Sequence, residues 1–280
     1  MHIFTFLLSL VIVLIPQSVA AQGWKQISPG MDLQNITSKN HDTSGYSHIT
    51  LLRIDPELWE LVFMGISQSG EKSGKTAKEW CRNYKLTAAI NAGMYSDNYK
   101  THVGYLRSKD HLNNNHVNNY QSVIAFDPKK GKVIPPFRIF DLDESGISMQ
   151  SILNDYNSAI QNLRLIKKPG INLWRQQNIE WSEAAIGEDK EGRILFVYSR
   201  SPLSMHDLNQ ELLTSGIGIV AAQHLEGGFE AQFYLNQGDV EIDLFDSFDA
   251  NSNEGKGNAE AWPIPNIIGI RPRKQVENTH

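Results

Sequence analysis

One cysteine, Cys81, stands among the 280 residues. With a single thiol the chain closes no internal disulfide, and CxxC metal or redox chemistry is excluded. Basic residues are outnumbered: 26 Lys and Arg face 31 Asp and Glu, for a formal net charge of -5. They are scattered and form no stripe, so no nucleic-acid partner is expected. Long apolar runs are missing as well, except for "IFTFLLSLVIVLI" at residues 3–15. That run is too short to cross a bilayer comfortably. Internal repeats are absent, which excludes solenoids and propellers.

The apolar run at the start is followed by Pro16 and by "SVAAQ", a small-residue cleavage pattern. Residues 1–21 therefore read as a secretory signal peptide, although His2 replaces the usual Lys or Arg at its head. Cysteine is absent beside the cleavage point, so a lipid anchor is not expected. The mature chain is expected to be periplasmic or secreted, with no stable membrane insertion. Residues 22–274 fit one domain, and 275–280 read as a disordered tail.

What is present is mostly strand signal. Runs rich in Ile, Val, Phe and Tyr occupy 48–55, 60–67, 86–95, 121–128, 193–199, 231–236 and 266–272, each bounded by Gly, Asn, Asp or Pro. Three helices are predicted. Thr76 to Glu79 spell a capping box, with Ala77, Trp80, Cys81 and Tyr84 on one face. Residues 149–161 carry Ile152, Leu153, Tyr156 and Ile160 at helical spacing. Residues 204–216 open on Ser204 and stop at Gly216. Polar loops are expected at 108–120 and 246–263. The pattern lacks a strict βαβ rhythm, so the fold class is α+β, a single domain of mixed, largely antiparallel sheets with a few packed helices.

Two motifs fail on inspection. "SGEKSGKT" (69–76) resembles a phosphate loop, but Ser69 stands where the first glycine is required. "DANSNEGKGNAE" (249–260) places Asp249, Asn251, Asn253 and Glu260 at calcium-loop positions. Glu254, however, occupies the position of the turning glycine. A solvated loop is the plainer reading and no cofactor is expected, with calcium as the minor alternative. His102, His111 and His116 share a segment without ligand spacing, so no metal site is expected.

Two segments concentrate chemistry. "INAGMY" (90–95) ends a strand on Asn91, Ala92 and Gly93 before Tyr95, with Gly104 and Tyr105 downstream. "HLEGGFEAQFYL" (224–235) sets Glu226, Gly227 and Gly228 between two strand-like runs, where a plain hairpin would prefer Asn-Gly or Asp-Gly. With "EAAIGEDKEGRILFVYSR" (183–200), the helix after it and "AWPIPNIIGIRP" (261–272), these segments resemble, in order, the phosphodiester glycosidase family. "INAGMY" matches that family's Asn-Gly/Ala-Gly-aromatic segment. Glu226-Gly227-Gly228 matches its Asp-Gly-Gly. Glu183 stands where the family commonly has Arg, and Phe229-Glu230 where it has Ser-Ser.

The resemblance implies hydrolysis of a sugar-phosphate diester, with a carbohydrate or glycan phosphodiester as partner, in an envelope or extracellular glycan. An oxocarbenium-like transition state needs carboxylate help at the anomeric carbon, and the phosphate needs donors. Glu226 is the first candidate carboxylate and Glu230 the second, or else the partner of an arginine. Asn91 is a candidate to position substrate, or simply an Asn that suits a turn. Gly93, Gly104, Gly227 and Gly228 permit close backbone approach. Tyr95 or Tyr105 offers a stacking face. Arg164 or Arg200 is a candidate phosphate fork, and His206 stands in the first turn of a helix, where anions are favoured. The same scaffold with these exchanges is also compatible with glycan binding without turnover.

Overall fold

The computed structural model describes residues 23–38, 48–246 and 260–274. The expected signal segment, the loop from Asp249 up to Glu260 and the expected tail lie outside the described residues.

Strands dominate, and they form three antiparallel sheets. The first contains β1 (Lys25–Ser28), β2 (Met31–Thr37), β3 (His48–Ile54), β11 (Arg164–Lys167), β12 (Ile171–Asn172), β13 (Trp181–Asp189), β14 (Ile194–Leu203) and β15 (Ile219–Gly227). Their spatial order is β1-β2-β3-β14-β13-β15-β11-β12. The second contains β6 (Leu106–Ser108), β7 (His111–Asn114), β8 (Ser122–Pro128), β9 (Phe137–Asp141) and β10 (Tyr156–Asn162), in the order β7-β6-β10-β8-β9. The third contains β4 (Trp59–Gly65), β5 (Ala88–Asn91), β16 (Gln232–Gln237), β17 (Val240–Phe245) and β18 (Asn266–Pro272), in the order β17-β16-β5-β18-β4.

The three sheets close on one another. A single buried cluster joins Met31, Leu52 and Ile186 of the first, Phe126 and Ile139 of the second, and Phe63, Ile90 and Phe233 of the third. The first sheet is apolar on both faces at its centre. Ala184, Ile186, Phe196 and Tyr198 join that shared core. Their alternates Ala185, Leu195 and Val197 pack with Leu208 and Leu212 on the other side. This two-sided burial is why the strands read as nearly continuous apolar runs.

Among the described residues four short helices complete the fold: α1 (Ile66–Ser69), α2 (Ala77–Tyr84), α3 (Met149–Asp155) and α4 (Met205–Thr214). The predicted capping box at Thr76 is present in α2: the Thr76 side chain accepts from Glu79 N and the Glu79 side chain accepts from Thr76 N. Ser204 caps α4, accepting from Asp207 N. The helix expected over 149–161 ends at Asp155, because the chain then enters β10 and pairs with both β6 and β8. Apolar spacing alone did not distinguish these, and sheet pairing outweighs a weak local preference. The loop expected at 108–120 holds the strand β7. Sheet therefore prevails over helix more strongly than a balanced α+β description implies.

The charged glycine turn is not a hairpin. β15 belongs to the eight-stranded sheet and β16 to the sheet of β4 and β5, so Glu226 to Glu230 carries the chain from one sheet to another. Gly228, at φ +66°, allows the change of direction, and a 3-10 turn, Gly228–Glu230, completes it.

Candidate functional site

The crossing is held by side chains from neighbouring strands. Asn91, at the end of β5, donates from Nδ2 to Glu230 O at 2.8 Å and accepts at Oδ1 from Gln232 N at 2.7 Å. Ser182 Oγ lies 3.0 Å from Gly228 O and 2.9 Å from Asp246 Oδ2. Trp181 lies against Gly227, where a Cβ would stand 2.6 Å from its ring. Asn91 thus fixes the backbone around Glu230, and its amide oxygen is committed to that task.

Glu226 is partly buried and pairs in register with Ala184 of β13. Its one hydrogen bond among the described residues comes from Gly227 N, at 3.2 Å. Burial raises its pKa from the usual carboxylate value to about 7, with the charges of Glu230 and Glu183 adding to the rise. His224 and the Gly227 N–H pull the other way.

Glu183 is fully buried and is bound to His224 Nδ1 by a short hydrogen bond. Trp181 Nε1 donates to its second oxygen at 2.7 Å. Burial opposes charge on the imidazole, but the contact with Glu183 and the charge of Glu226 outweigh it, and the His224 pKa is raised. The row Trp181, Glu183, His224 therefore ends beside Glu226, with the imidazole set between two acidic side chains.

Tyr95 stands on the other side. Its hydroxyl interacts with Glu230, and burial together with the charges of Glu230, Tyr99 and Glu226 drives its pKa up. Tyr99 meets Tyr95 edge-on, with ring centroids 5.0 Å apart. Gly93, at φ +139°, makes the Tyr95 segment fit: a Cβ there would come within 2.4 Å of His102 Cε1 and 2.5 Å of Asn162 Nδ2. His102 is buried, with Nε2 2.7 Å from Gln161 O. Since a carbonyl only accepts, that nitrogen carries the proton, and burial lowers the pKa to about 4.

The remaining predicted residues are distributed unevenly. Arg200 is linked to the crossing through Tyr198, whose hydroxyl feels both Arg200 and Asp246. Arg164 is already held by Asp141 and Asp143, at 3.1 and 2.8 Å. His206 sits on α4, with Nδ1 2.6 Å from Trp174 O, so it serves the packing of the helix. Gly104 lies against Gln161 O, which a Cβ would approach to 2.8 Å. Tyr105 is buried with Val123, Ala125 and Tyr156, so its ring fills core instead of offering a free face. Among the described residues no cluster of three or more His, Cys, Asp or Glu is arranged to hold a metal.

The phosphodiester glycosidase family profile matches residues 84–271, well over half of the chain. The chain belongs to the phosphodiester glycosidase family. Both chemistry-bearing segments fall inside that match. Among solved structures, the zebrafish N-acetylglucosamine-1-phosphodiester alpha-N-acetylglucosaminidase catalytic domain, auto-inhibited by its pro-peptide, aligns with a TM-score of 0.63 at 17% identity. The alignment covers 88% of this chain and 85% of that one. A hypothetical protein from Synechocystis aligns with a TM-score of 0.60 at 14% identity, over 88% of this chain and 63% of that one. No curated protein matches the sequence.

Within this family member, the residues around Glu226 and Glu230 that sequence reasoning missed are His224, Trp181, Ser182 and Tyr99. His224 stands two positions before Glu226, and Glu183 lies on the facing strand. Only the strand register, with His224 opposite Ala185 and Gly227 opposite Glu183, brings the two together. Glu183, where the family commonly has Arg, is compensated by a histidine on that facing strand.

Proposed function

We propose that this chain hydrolyses the bond between an anomeric carbon and the phosphate of a sugar-phosphate diester. Glu226 in its carboxylate form takes a proton from water as that water attacks the anomeric carbon. The carbon–oxygen bond to phosphate breaks, leaving a free sugar and a phosphate monoester. A phosphate ester departs readily, so the base is the more demanding role. A base with a pKa near the working pH suits it.

The observation that carries this reading is Glu226 itself: a carboxylate with one backbone hydrogen bond, held near pKa 7 among Glu183, Glu230 and His224 at a seam between two sheets. Perturbed carboxylates of this kind concentrate at functional sites. Glu230, beside Tyr95, orients the sugar, and Arg200 donates to the phosphate. The apolar start of the chain supports export, and an envelope or extracellular glycan is the substrate class we infer.

The test is release of N-acetylglucosamine from its 1-phosphate methyl diester, followed by a panel of other sugar diesters. Turnover is expected, rising with pH through about 7, and Glu226→Gln is expected to abolish it. Binding of these diesters without turnover of any would make the chain a glycan-binding protein on the same scaffold. Fractionation with N-terminal sequencing tests export; an uncleaved start in the cytoplasm would refute it.

A further inference from the structure

Among the described residues only two aromatic side chains count as exposed: Phe229, 47% accessible, and Trp262, 57% accessible. Phe229 lies in the crossing between Glu226 and Glu230, and Trp262 is bonded through its carbonyl to Gln232, two residues beyond Glu230. Phe229 is the middle residue of the 3-10 turn between those carboxylates. Its neighbours are tightly anchored. Gly228 O receives Ala231 N at 3.0 Å, and Glu230 O receives Asn91 Nδ2 at 2.8 Å. The carbonyls at both ends of the turn are bonded while the phenyl ring between them is exposed.

Trp262 is tied to the same turn by two routes. Its carbonyl accepts from Gln232 Nε2, and Gln232 stands one residue past the turn, after Ala231. Gln232 is itself fixed at both ends, by Asn91 at its backbone N–H and by Ala77 N at Oε1, 2.8 Å away. The second route runs through Tyr99, which feels the charge of Glu230. Tyr99 also lies 3.0 Å from where a Gly74 Cβ would stand, and that position abuts Ile264 O. The chain from Trp262 to Ile264 is therefore clamped beside the site, with the indole outward.

Large aromatic rings in solvent beside carboxylates have a specific use. Sugar rings present apolar C–H faces that stack on aromatic planes, while their hydroxyls bind carboxylates and amides. We propose that Phe229 and Trp262 form a stacking surface for a pyranose ring beyond the cleaved linkage. The inference rests on the phosphodiester glycosidase reading and extends it from a minimal diester to a substrate with at least one further sugar.

The extra ring can lie on either side of the phosphate, and the assay separates the two. The kcat/KM for N-acetylglucosamine 1-phosphate methyl diester is compared with two extended diesters. One carries a second sugar on the N-acetylglucosamine; the other replaces methyl with a methyl glucoside joined through O6. One extended diester is expected to be preferred by roughly tenfold, the worth of one good aromatic contact. Phe229→Ala and Trp262→Ala should each bring that ratio down towards one, and Trp262→Phe should retain it. Equal use of all three diesters by the wild-type chain, or a preference that survives both alanine variants, overturns the proposal. If nothing is turned over, the hydrolase reading fails by itself. Calorimetric binding of the same extended diesters then decides: binding lost in the alanine variants supports the stacking surface, and unchanged or absent binding refutes it.

Discussion

Two glutamates on adjacent strands, one buried and one partly buried, meet opposite fates. Glu188, near the end of β13, is fully enclosed. It takes Arg138 Nη1 at 2.5 Å, Lys168 Nζ at 2.7 Å and Ile139 N at 2.8 Å. Glu226, near the end of β15, takes one backbone N–H at 3.2 Å and has two other carboxylates for neighbours. The first joins β13 to β9 and to the start of the Pro169 turn, and its charge is spent there. The second is desolvated with only His224 and the Gly227 N–H to offset it. A fold seldom holds a carboxylate in that condition unless the strained protonation state has a use. Glu183, between them in character, is buried but has His224 and Trp181 as partners. Charge compensation thus falls from Glu188 to Glu226, and chemical availability rises with it.

The sharpest way to break the comparison is Glu226→Gln. Activity should fall by roughly 10^3-fold, as for loss of a catalytic base, while the fold is kept. The stability sign follows from the raised pKa. Below the ordinary value of 4.5 the carboxyl is protonated in both folded and unfolded chains and costs nothing. As pH climbs through 4.5 to about 7 the folded chain loses stability, by up to about 3 kcal/mol before solvent screening. The variant removes that loss, so its melting temperature should exceed wild type at pH 8 and match it at pH 4. A lower melting temperature at pH 8 would show that Glu226 is a stabilising group after all.

Glu188→Ala should do the reverse. Stability should drop by about 2 kcal/mol, below the usual cost of a broken buried pair because Arg138 and Lys168 remain partly exposed. Activity per folded molecule should hold, as measured by denaturant titration alongside turnover. Asn91→Ala comes next: it releases Glu230 O and Gln232 N, costs about 1–2 kcal/mol, and loosens the crossing. Its kcat should fall more than its stability explains, and a proportionate fall would make Asn91 a scaffold residue only. His224→Gln is the most delicate. It removes the positive charge that holds the Glu226 pKa down, so the rising limb of the pH–activity profile should move to higher pH. An unmoved limb would separate the Glu183–His224 pair from the chemistry.

Much of this comparison was legible in the sequence, and part of it was not. The strand runs and the capped helices α2 and α4 follow from local pattern, and the prominence of Glu226, Asn91 and Tyr95 follows from that pattern together with the family resemblance. Tyr105, Arg164 and His206 were equally plausible on local grounds. They parted from Glu226 because burial, the acids of the β9 end and the packing of α4 are set by distant segments. The same reason hid His224: a Glu and a His about forty positions apart become partners only through strand register. The second half of the helix expected at 149–161 was lost to β10 because an apolar repeat does not reveal that a central strand position is waiting for it.

The crossing between sheets carries one more consequence, for assembly in time. Asn91 and Gln232 are 141 positions apart and Ser182 and Asp246 are 64 apart, and these are the bonds that fix the turn. Contacts so distant along the chain close late in folding. Each sheet can form its ladder before the other docks, but the carboxylates acquire their spacing only when both have met. On refolding, strand content should therefore recover before activity, and the chain stays chemically silent until its last large contact is made.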